Sequence, residues 1–430
     1  MKLGFAKKDI TPDFPVPMAG YNKPGRISQG VHDKLYARAL FFEDGPIVLL
    51  QLDILNVDRI CLNALYQALQ EEKKASAGFP AIEKKHILVC ATHTHSGFGG
   101  IFDLDKGINR EVIPLLGETN PDLVALIVKK SVEAITEAIK NCTETTVRMN
   151  TGTINGLGAN RRRADIPCDN SLFIMEFSRH DQKKILLYNL CCHPTVMNGE
   201  NRLLSADFPG AAAEKLEGVP GGYDMVIFIN GSAGDMSTRF TRRESSFEEC
   251  SRYANLIIEA INSLKKGEFL PLEKIELHYH NILLYMAEIP ELNIAADYLE
   301  KAEKNLAEIK NGNADRSAIR KAESIVEGAY INYMKSRYAK SRKKNSSRTI
   351  ETGILTINAT TIVCSPFELF SSLALILKEK KNVGCFGYIN CLEDYLSDCD
   401  AWDSQEYEAL SSDFLRGEGE RYIELVSALV

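Results

Sequence analysis

An α/β fold of mixed sheets flanked by helices follows from three features of this 430-residue sequence. From the N-terminus to about Leu284, short apolar runs alternate with amphipathic stretches; the runs are rich in Val, Ile and Leu and nearly free of charge; and several of them end in loops of small polar residues. Runs of that composition suit strands covered on both faces. The strand candidates are Pro46–Ile54, His86–Thr92, Lys184–Cys192 and Met225–Asn230. Between them, Asn120-Pro121 is a helix start signal, and Asp122–Lys140 then places Val124, Ile127, Val128, Val132, Ile135 and Ile139 at helical spacing. Phe247–Leu264 repeats the pattern, so both segments read as covering helices.

Composition shifts after Leu284. From Glu291 to about Lys344 the chain is rich in Ala, Glu and Lys, with Asn311-Gly312-Asn313 as a turn between two helical halves. The sequence predicts a helical hairpin ending in a basic run of Lys335, Arg337, Lys340, Arg342, Lys343, Lys344 and Arg348, which reads as a solvated helix face and loop or as a contact for phosphate or lipid headgroups. Strand-like sequence returns at Gly353–Cys364. The hairpin, about 288–345, is therefore an excursion from one domain spanning 1–430.

Composition excludes several classes. With 45% hydrophobic and 25% charged residues the chain is an ordinary folded protein. Its 51 basic and 58 acidic residues leave a net charge of -7, so no global field favours nucleic acid or an anionic membrane surface. No stretch reaches the roughly 18 apolar residues of a spanning helix, and MKLGFAKKDITPDF lacks the apolar core of a secretory signal, which predicts a cytoplasmic protein. Eleven cysteines without paired spacing read as reduced thiols, and Cys191 and Cys192 as small buried hydrophobes.

The chemistry concentrates in three loops. Ala91-Thr92-His93-Thr94-His95-Ser96-Gly97 follows an apolar strand and enters a glycine-rich turn. Strand alternation would put His93 and His95 on one face, where two imidazoles can share a metal ion, or one can bind metal while the other handles protons. Lys184–Cys192 delivers His193 at its end, ahead of Asn198, Asn201 and Asp207. The third strand ends in Asn230-Gly231-Ser232-Ala233-Gly234-Asp235-Met236-Ser237. Polar loops at the ends of successive apolar strands are where open α/β sheets keep their sites. On residue type alone, Glu368 fits a helix start, Tyr395 and Tyr407 fit half-buried packing, and one arginine of Arg161-Arg162-Arg163 turns inward.

Together these segments resemble the neutral, non-lysosomal ceramidases, zinc amidohydrolases that split the N-acyl bond of ceramide. The resemblance rests on Gly20-Tyr21, Gly30-Val31-His32 through Tyr36-Ala37-Arg38-Ala39, the Ala91–Gly97 motif, Ala159-Asn160-Arg161, Cys192-His193, Gly234-Asp235-Met236-Ser237, Pro366-Phe367-Glu368, Gly387, Asn390, Tyr395 and Tyr407. It departs at Ser237-Thr238-Arg239, where the family has serine-proline-asparagine, at Phe367 in place of glycine and at Leu392 in place of an aromatic residue; the sequence reads as the family's catalytic domain, and its additional β-rich C-terminal domain is not expected within these 430 residues. The resemblance implies a zinc ion held by His93, His193, Glu368 and Tyr395, with His95, Arg161, Ser237 and Tyr407 lining the reaction centre. It also implies hydrolysis of a small N-acyl substrate, lipids included, with a place in sphingolipid metabolism. The competing readings are a zinc hydrolase of an ester, phosphoester or carbohydrate-linked substrate, and a binding protein with the same fold and no catalysis.

Overall fold

The computed structural model describes residues 1–103, 113–314, 316–338, 346–381 and 383–430. Its main sheet has nine strands, and the path through it runs Met225–Asn230, Lys184–Leu190, Ser171–Arg179, Thr143–Thr153, Lys2–Asp9, Tyr36–Phe42, Ile47–Leu52 and Ile87–Ala91. Most neighbours are antiparallel, but the outermost pair at each end is parallel. Met225–Asn230 runs with Lys184–Leu190, and Ile87–Ala91 runs with Ile47–Leu52. The mixed α/β architecture expected from the sequence is therefore the observed one, and each of the four strand candidates before Leu284 sits within two residues of an observed strand at either end.

Three apolar clusters explain why the sheet curls. One face of the strands around Lys2–Asp9 and Ile47–Leu52 packs on helices Arg59–Ala75 and Pro121–Lys140, through residues such as Leu65, Leu69, Ile127 and Ile135. One face of Ser171–Arg179 and its neighbours packs on helices Asp207–Glu217 and Phe247–Leu264, through Phe208, Tyr253 and Ile257. The remaining faces of both halves meet in a shared core that joins Leu40 and Leu49 to Met175, Leu187 and Ile227. Burying both faces in this way requires the continuous Val/Ile/Leu runs seen in the sequence.

A second sheet of four strands, Ile275–Tyr285, Ser347–Ile357, Thr360–Cys364 and Gly384–Phe386, seals that shared core with Leu277, Leu355 and Ile362. The single run expected at Gly353–Cys364 is thus two strands. Asn358 takes φ +51° at the turn, and its side-chain oxygen accepts from the backbone N–H groups of Glu273 and Lys274. A β-branched stretch hid this break, because the turn residue is Asn rather than Gly.

The predicted hairpin is present as helices Leu292–Asn311 and Arg316–Tyr338, with Gly312 capping the first. Gly328 lets the second helix approach Tyr407 and Leu410: a Cβ there would lie 3.0 Å from Leu410 and 3.3 Å from the Tyr407 Cα. Of the basic run, Lys340, Arg342, Lys343 and Lys344 lie outside the described residues. Its two ends are not a free cationic face. Lys335 pairs with Asp413 at 3.0 Å, and Arg348, inside a strand, pairs with Asp413 at 3.1 Å and Glu393 at 3.3 Å. All eleven cysteines carry free thiols, with Cys191 and Cys192 3% and 0% exposed. No helix among the described residues is long and apolar enough to cross a membrane.

The segment Gly387–Asn390 bridges the two edge strands of the main sheet. Gly387 N–H donates to Asn230 O at 2.8 Å, while Asn390 N–H donates to Val89 O at 2.7 Å and Ala91 N–H to Tyr388 O at 3.3 Å. The fit leaves no room for a side chain at its start, where a Cβ on Gly387 would sit 2.3 Å from Gly231 O. Gly387→Ala is expected to cost about 1–3 kcal/mol of stability through overpacking, read as a lower urea midpoint at unchanged slope; a midpoint equal to that of the unaltered protein would show that the seam can relax.

Candidate metal centre

Both parallel pairs end in register, Leu52 beside Ala91 and Leu190 beside Asn230, so the loops that follow start at one level. They are stitched together there. Asn230 Nδ2 donates to Cys192 O at 3.1 Å and to Thr92 O at 3.4 Å; His95 N–H donates to Pro194 O at 3.3 Å, and His193 N–H to Met236 O at 3.1 Å. Three imidazoles consequently converge. The rings of His93 and His193 are 4.7 Å apart, those of His93 and His95 5.0 Å, and those of His95 and His193 5.5 Å, with one ligand atom from each within 4.8 Å of the others.

Strand alternation is not what brings His93 and His95 together. The strand stops at Ala91, and His93 adopts φ +67°, a left-handed conformation that turns the chain back toward Leu55. The Nδ1 of His93 donates to Leu55 O at 2.8 Å, and the Nδ1 of His193 donates to Met236 O at 2.9 Å. A carbonyl can only accept, so these bonds fix the Nδ1–H tautomers and leave each Nε2 as an acceptor, that of His193 facing Arg161 Nη1 at 3.3 Å. Both lone pairs face one carboxylate oxygen: Glu368 Oε2 lies 3.0 Å from His193 Nε2 and 3.6 Å from His93 Nε2. Burial pushes both imidazoles down to about 3 and that of His95 well below its usual value, so the three rings stand as neutral acceptors rather than imidazolium cations. A cation is the species that satisfies such a set. His95 adds to the case, because both its ring nitrogens are buried without a hydrogen-bond partner.

Glu368 is placed by a two-residue strand, Glu368–Leu369, paired in parallel with Tyr395–Leu396 so that Glu368 and Tyr395 stand side by side. It starts no helix, since helix Ser371–Lys381 begins three residues later. Asp235 holds this strand to the third loop. Its carboxylate accepts from Ser371 N–H at 2.7 Å and from Asn160 Nδ2 at 2.7 Å, while its carbonyl accepts from Arg161 N–H at 2.7 Å. Burial pushes Asp235 up to about 6. Gly234 packs directly on Glu368, where a Cβ would lie 2.3 Å from the Glu368 carbonyl oxygen.

The remaining expected residues surround this centre. Arg161 Nη1 lies 3.3 Å from His193 Nε2, its Nε donates to Glu408, and its Nη2 is buried without a partner. Burial acts against the charge on Arg161, but Tyr395, Glu408 and Glu368 outweigh it. The Arg161 guanidinium is 5.3 Å from the Tyr395 ring centre and 5.9 Å from that of Tyr407, and the two rings are 5.8 Å apart. Ser237 bridges to His193 through the backbone, and its hydroxyl accepts from Arg239 N–H at 3.2 Å. No histidine nitrogen bonds that hydroxyl among the described residues. All eight site residues expected from the sequence are therefore at this one place. Of the arginine triplet, however, two members are buried rather than one: Arg162 is also 8% exposed, held by Asp400 at 2.7 Å.

Two residues escaped the sequence reading. Tyr388 lies fully buried at φ +56°, its ring 4.2 Å from that of His93 and its hydroxyl without a partner. A bulky aromatic residue in the left-handed region is a strained outlier, and such strain gathers at functional sites. Only its position after Gly387 hinted at it. Glu408, the partner of Arg161, sits in a five-residue helix and carried no sequence signal at all.

A family profile described as "Neutral/alkaline non-lysosomal ceramidase, N-terminal" matches residues 1–257. The neutral ceramidase of Mycobacterium tuberculosis is 25% identical over 256 residues, which cover 51% of this chain and 37% of that protein. The neutral ceramidase of Drosophila melanogaster is 23% identical over 262 residues, 55% of this chain and 36% of that one. The matched stretch thus spans little more than a third of these relatives. The crystal structure of neutral ceramidase from Pseudomonas aeruginosa superposes with a TM-score of 0.72 at 16% identity, covering 99% of this chain and 73% of that one, which establishes a shared fold.

The opposed lone pairs generate an unusual expectation. Glu368→Gln can turn an amide N–H toward His193 Nε2, so in chelator the variant should be more stable than the unaltered protein by about 1–2 kcal/mol. With zinc added the order should reverse, because the anionic ligand is lost. Paired urea melts with and without metal check this, and a variant less stable in both conditions would show that no acceptor clash exists.

Proposed function

This chain belongs to the neutral/alkaline non-lysosomal ceramidase family, and from that premise and the histidine centre we propose that it is a zinc-dependent hydrolase of an N-acyl (amide) bond. The observation that carries the reading is the convergence of two imidazole lone pairs on one carboxylate oxygen, beside a third imidazole with no partner. Nitrogen and carboxylate donors of this kind suit zinc, and the backbone carbonyls on both Nδ1 atoms are the usual orienting partners of zinc-bound histidines. His93, His193, Glu368 and Tyr395 would hold the ion. Bound there, zinc supplies Lewis-acid activation of water, lowering the pKa of that water to about 7.

The chain's own residues do the rest. The free Nη2 of Arg161 and the hydroxyl of Tyr407 bind the acyl carbonyl oxygen and stabilise the negative charge that develops on it. His95 is neutral because it is buried, and its unpartnered nitrogens let it accept the proton of the attacking water and return it to the amine as the C–N bond breaks. Ser237 orients the substrate by hydrogen bonding. With no histidine on its hydroxyl it lacks the base that a nucleophilic serine needs. Glu408 positions Arg161. The neutral ceramidases among the relatives make ceramide one candidate substrate, and the N-acyl class as a whole is the reading advanced here.

Metal content by plasma mass spectrometry and hydrolysis of N-acyl, ester and phosphoester substrates test this together. The unaltered protein should hold about one zinc per chain and cleave the amides. His193→Ala should lose both metal and activity, whereas His95→Ala should keep the metal and lose about 10²–10⁴ in rate. Metal loss in His95→Ala would move that residue into the ligand set. Preferential cleavage of esters or phosphoesters would replace the amide reading.

A further inference from the structure

Beside the histidine centre lies a cavity of about 430 Å³, walled by the Arg161–Arg163 loop, the Arg239-Phe240 turn and the second helix of the hairpin. Five cationic residues line it: Arg161, Arg162, Arg163, Arg239 and Lys321. Four of them are neutralised in place. Arg161 pairs with Glu408, Arg162 with Asp400 at 2.7 Å, Arg163 with Asp165 at 3.1 Å, and Lys321 with Glu406 at 3.4 Å. Arg239 forms no ion pair among the described residues; its one side-chain hydrogen bond runs from Nη1 to the Arg161 carbonyl at 2.8 Å. Burial and the neighbouring Arg161 and Arg320 work against its charge, while Glu408 and Glu327 act on it only from beyond contact; a cation held in a cavity wall with no carboxylate in contact is costly, and an anionic ligand removes that cost.

The geometry also says which edge is open. The Arg161 carbonyl fixes Nη1, so the Nε and Nη2 atoms, which form the side-on fork of a guanidinium, remain without protein acceptors among the described residues. That fork matches a carboxylate bidentately. Its location limits the distance to the reacting bond. The Arg239 backbone N–H is held by the Ser237 hydroxyl at 3.2 Å, and the same Arg161 whose carbonyl anchors the Arg239 guanidinium carries its own Nη1 3.3 Å from His193 Nε2. The fork thus opens on the same cavity wall as Arg161 and Tyr407, one arginine side chain from the histidine centre.

We propose that Arg239 receives a carboxylate carried by the amine half of the substrate, so that N-acyl amino acids are preferred over neutral N-acyl amides. The inference rests on the hydrolase reading and adds the substrate class. Phe240 and Ala318, also on the cavity wall, supply apolar surface beside the fork for the amino-acid side chain.

The test compares N-lauroylglycine with N-lauroylethanolamine, which differ in a carboxylate against a hydroxymethyl group, on zinc-loaded protein. The ratio of their kcat/KM values should favour the glycine conjugate by about 10- to 100-fold, the range of a charge-assisted bidentate contact. Arg239→Gln should bring the ratio near one, mainly through KM, and Arg239→Lys, a point charge without the fork, should fall between; melting curves establish that both variants fold. A ratio near one in the unaltered protein, or one that Arg239→Gln leaves unchanged, overturns the proposal. If neither amide is cleaved, the hydrolase reading fails separately. The same two ligands then report by calorimetry: tighter binding of N-lauroylglycine that Arg239→Gln abolishes sustains the carboxylate contact, and equal affinities overturn it.

Discussion

Two parallel strand pairs at opposite ends of one curled sheet finish at the same place because the segment Gly387–Asn390 is wedged between their free edges. Without it, Ile87–Ala91 and Met225–Asn230 would present unpaired N–H and C=O groups inside the protein, each a desolvation cost comparable to a lost hydrogen bond. The segment meets both edges by loop hydrogen bonds, at Val89 and Ala91 on one and at Asn230 on the other, rather than by a continuous ladder, so the sheet curls without closing into a barrel. Everything in the metal centre depends on this closure. His93 and His95 follow one edge strand, Ser237 follows the other, His193 comes from that strand's neighbour, and Tyr388 belongs to the wedge itself. The backbone strain at His93 and Tyr388 is tolerable because buried strands on both sides over-determine it.

The second level of organisation is electrostatic. Glu368 brings a negative charge against two lone pairs, an arrangement that Arg161 relieves only from the His193 side and that a metal cation between the three would satisfy directly. The protein nevertheless fixes it in advance, with backbone carbonyls orienting each imidazole and the Asp235 network holding the loop that carries Glu368. Preorganisation of this kind stores an unfavourable interaction that the ligand relieves on binding, so affinity gains what the metal-free fold loses. Arg161 balances the site from the other side, its charge retained by Tyr395, Glu408 and Glu368 despite burial.

Much of this was legible in the sequence, for physical reasons that differ from element to element. Met225–Asn230 and Phe247–Leu264 could be read to the residue because burial on two faces or on one helical stripe imposes periodicity that nothing else in the chain counterfeits. His93, His95 and His193 stood out because imidazoles at the ends of apolar runs are costly unless used. Their geometry was not legible: the turn at His93 that replaces strand alternation comes from a left-handed residue no local pattern announces. Glu368, Tyr395, Arg161 and Tyr407 became visible only through the family resemblance, since each residue type alone fits a bland role. Arg162 and Glu408 were misread or missed because their burial depends on partners far along the chain, Asp400 and Arg161 respectively. The Asn358 turn was hidden by β-branched neighbours on both sides.

The histidine centre and the cavity beside it obey different constraints. The centre is built by core strands and their loops, and shifting any one of them would break the shared apolar core, so its layout follows from the fold that this chain shares with a solved ceramidase. The cavity wall comes from surface elements: the Arg161–Arg163 loop, the turn after Ser237 and a helical hairpin with few buried residues of its own. Substitutions there disturb little packing. On the proposed function, reaction chemistry and substrate choice fall to different parts of the structure, and the membership that speaks to the first is a weak guide to the second. Arg239 in its proposed role is the kind of difference this separation permits, because it would alter what the cavity attracts while leaving untouched the strand ends that hold the histidines.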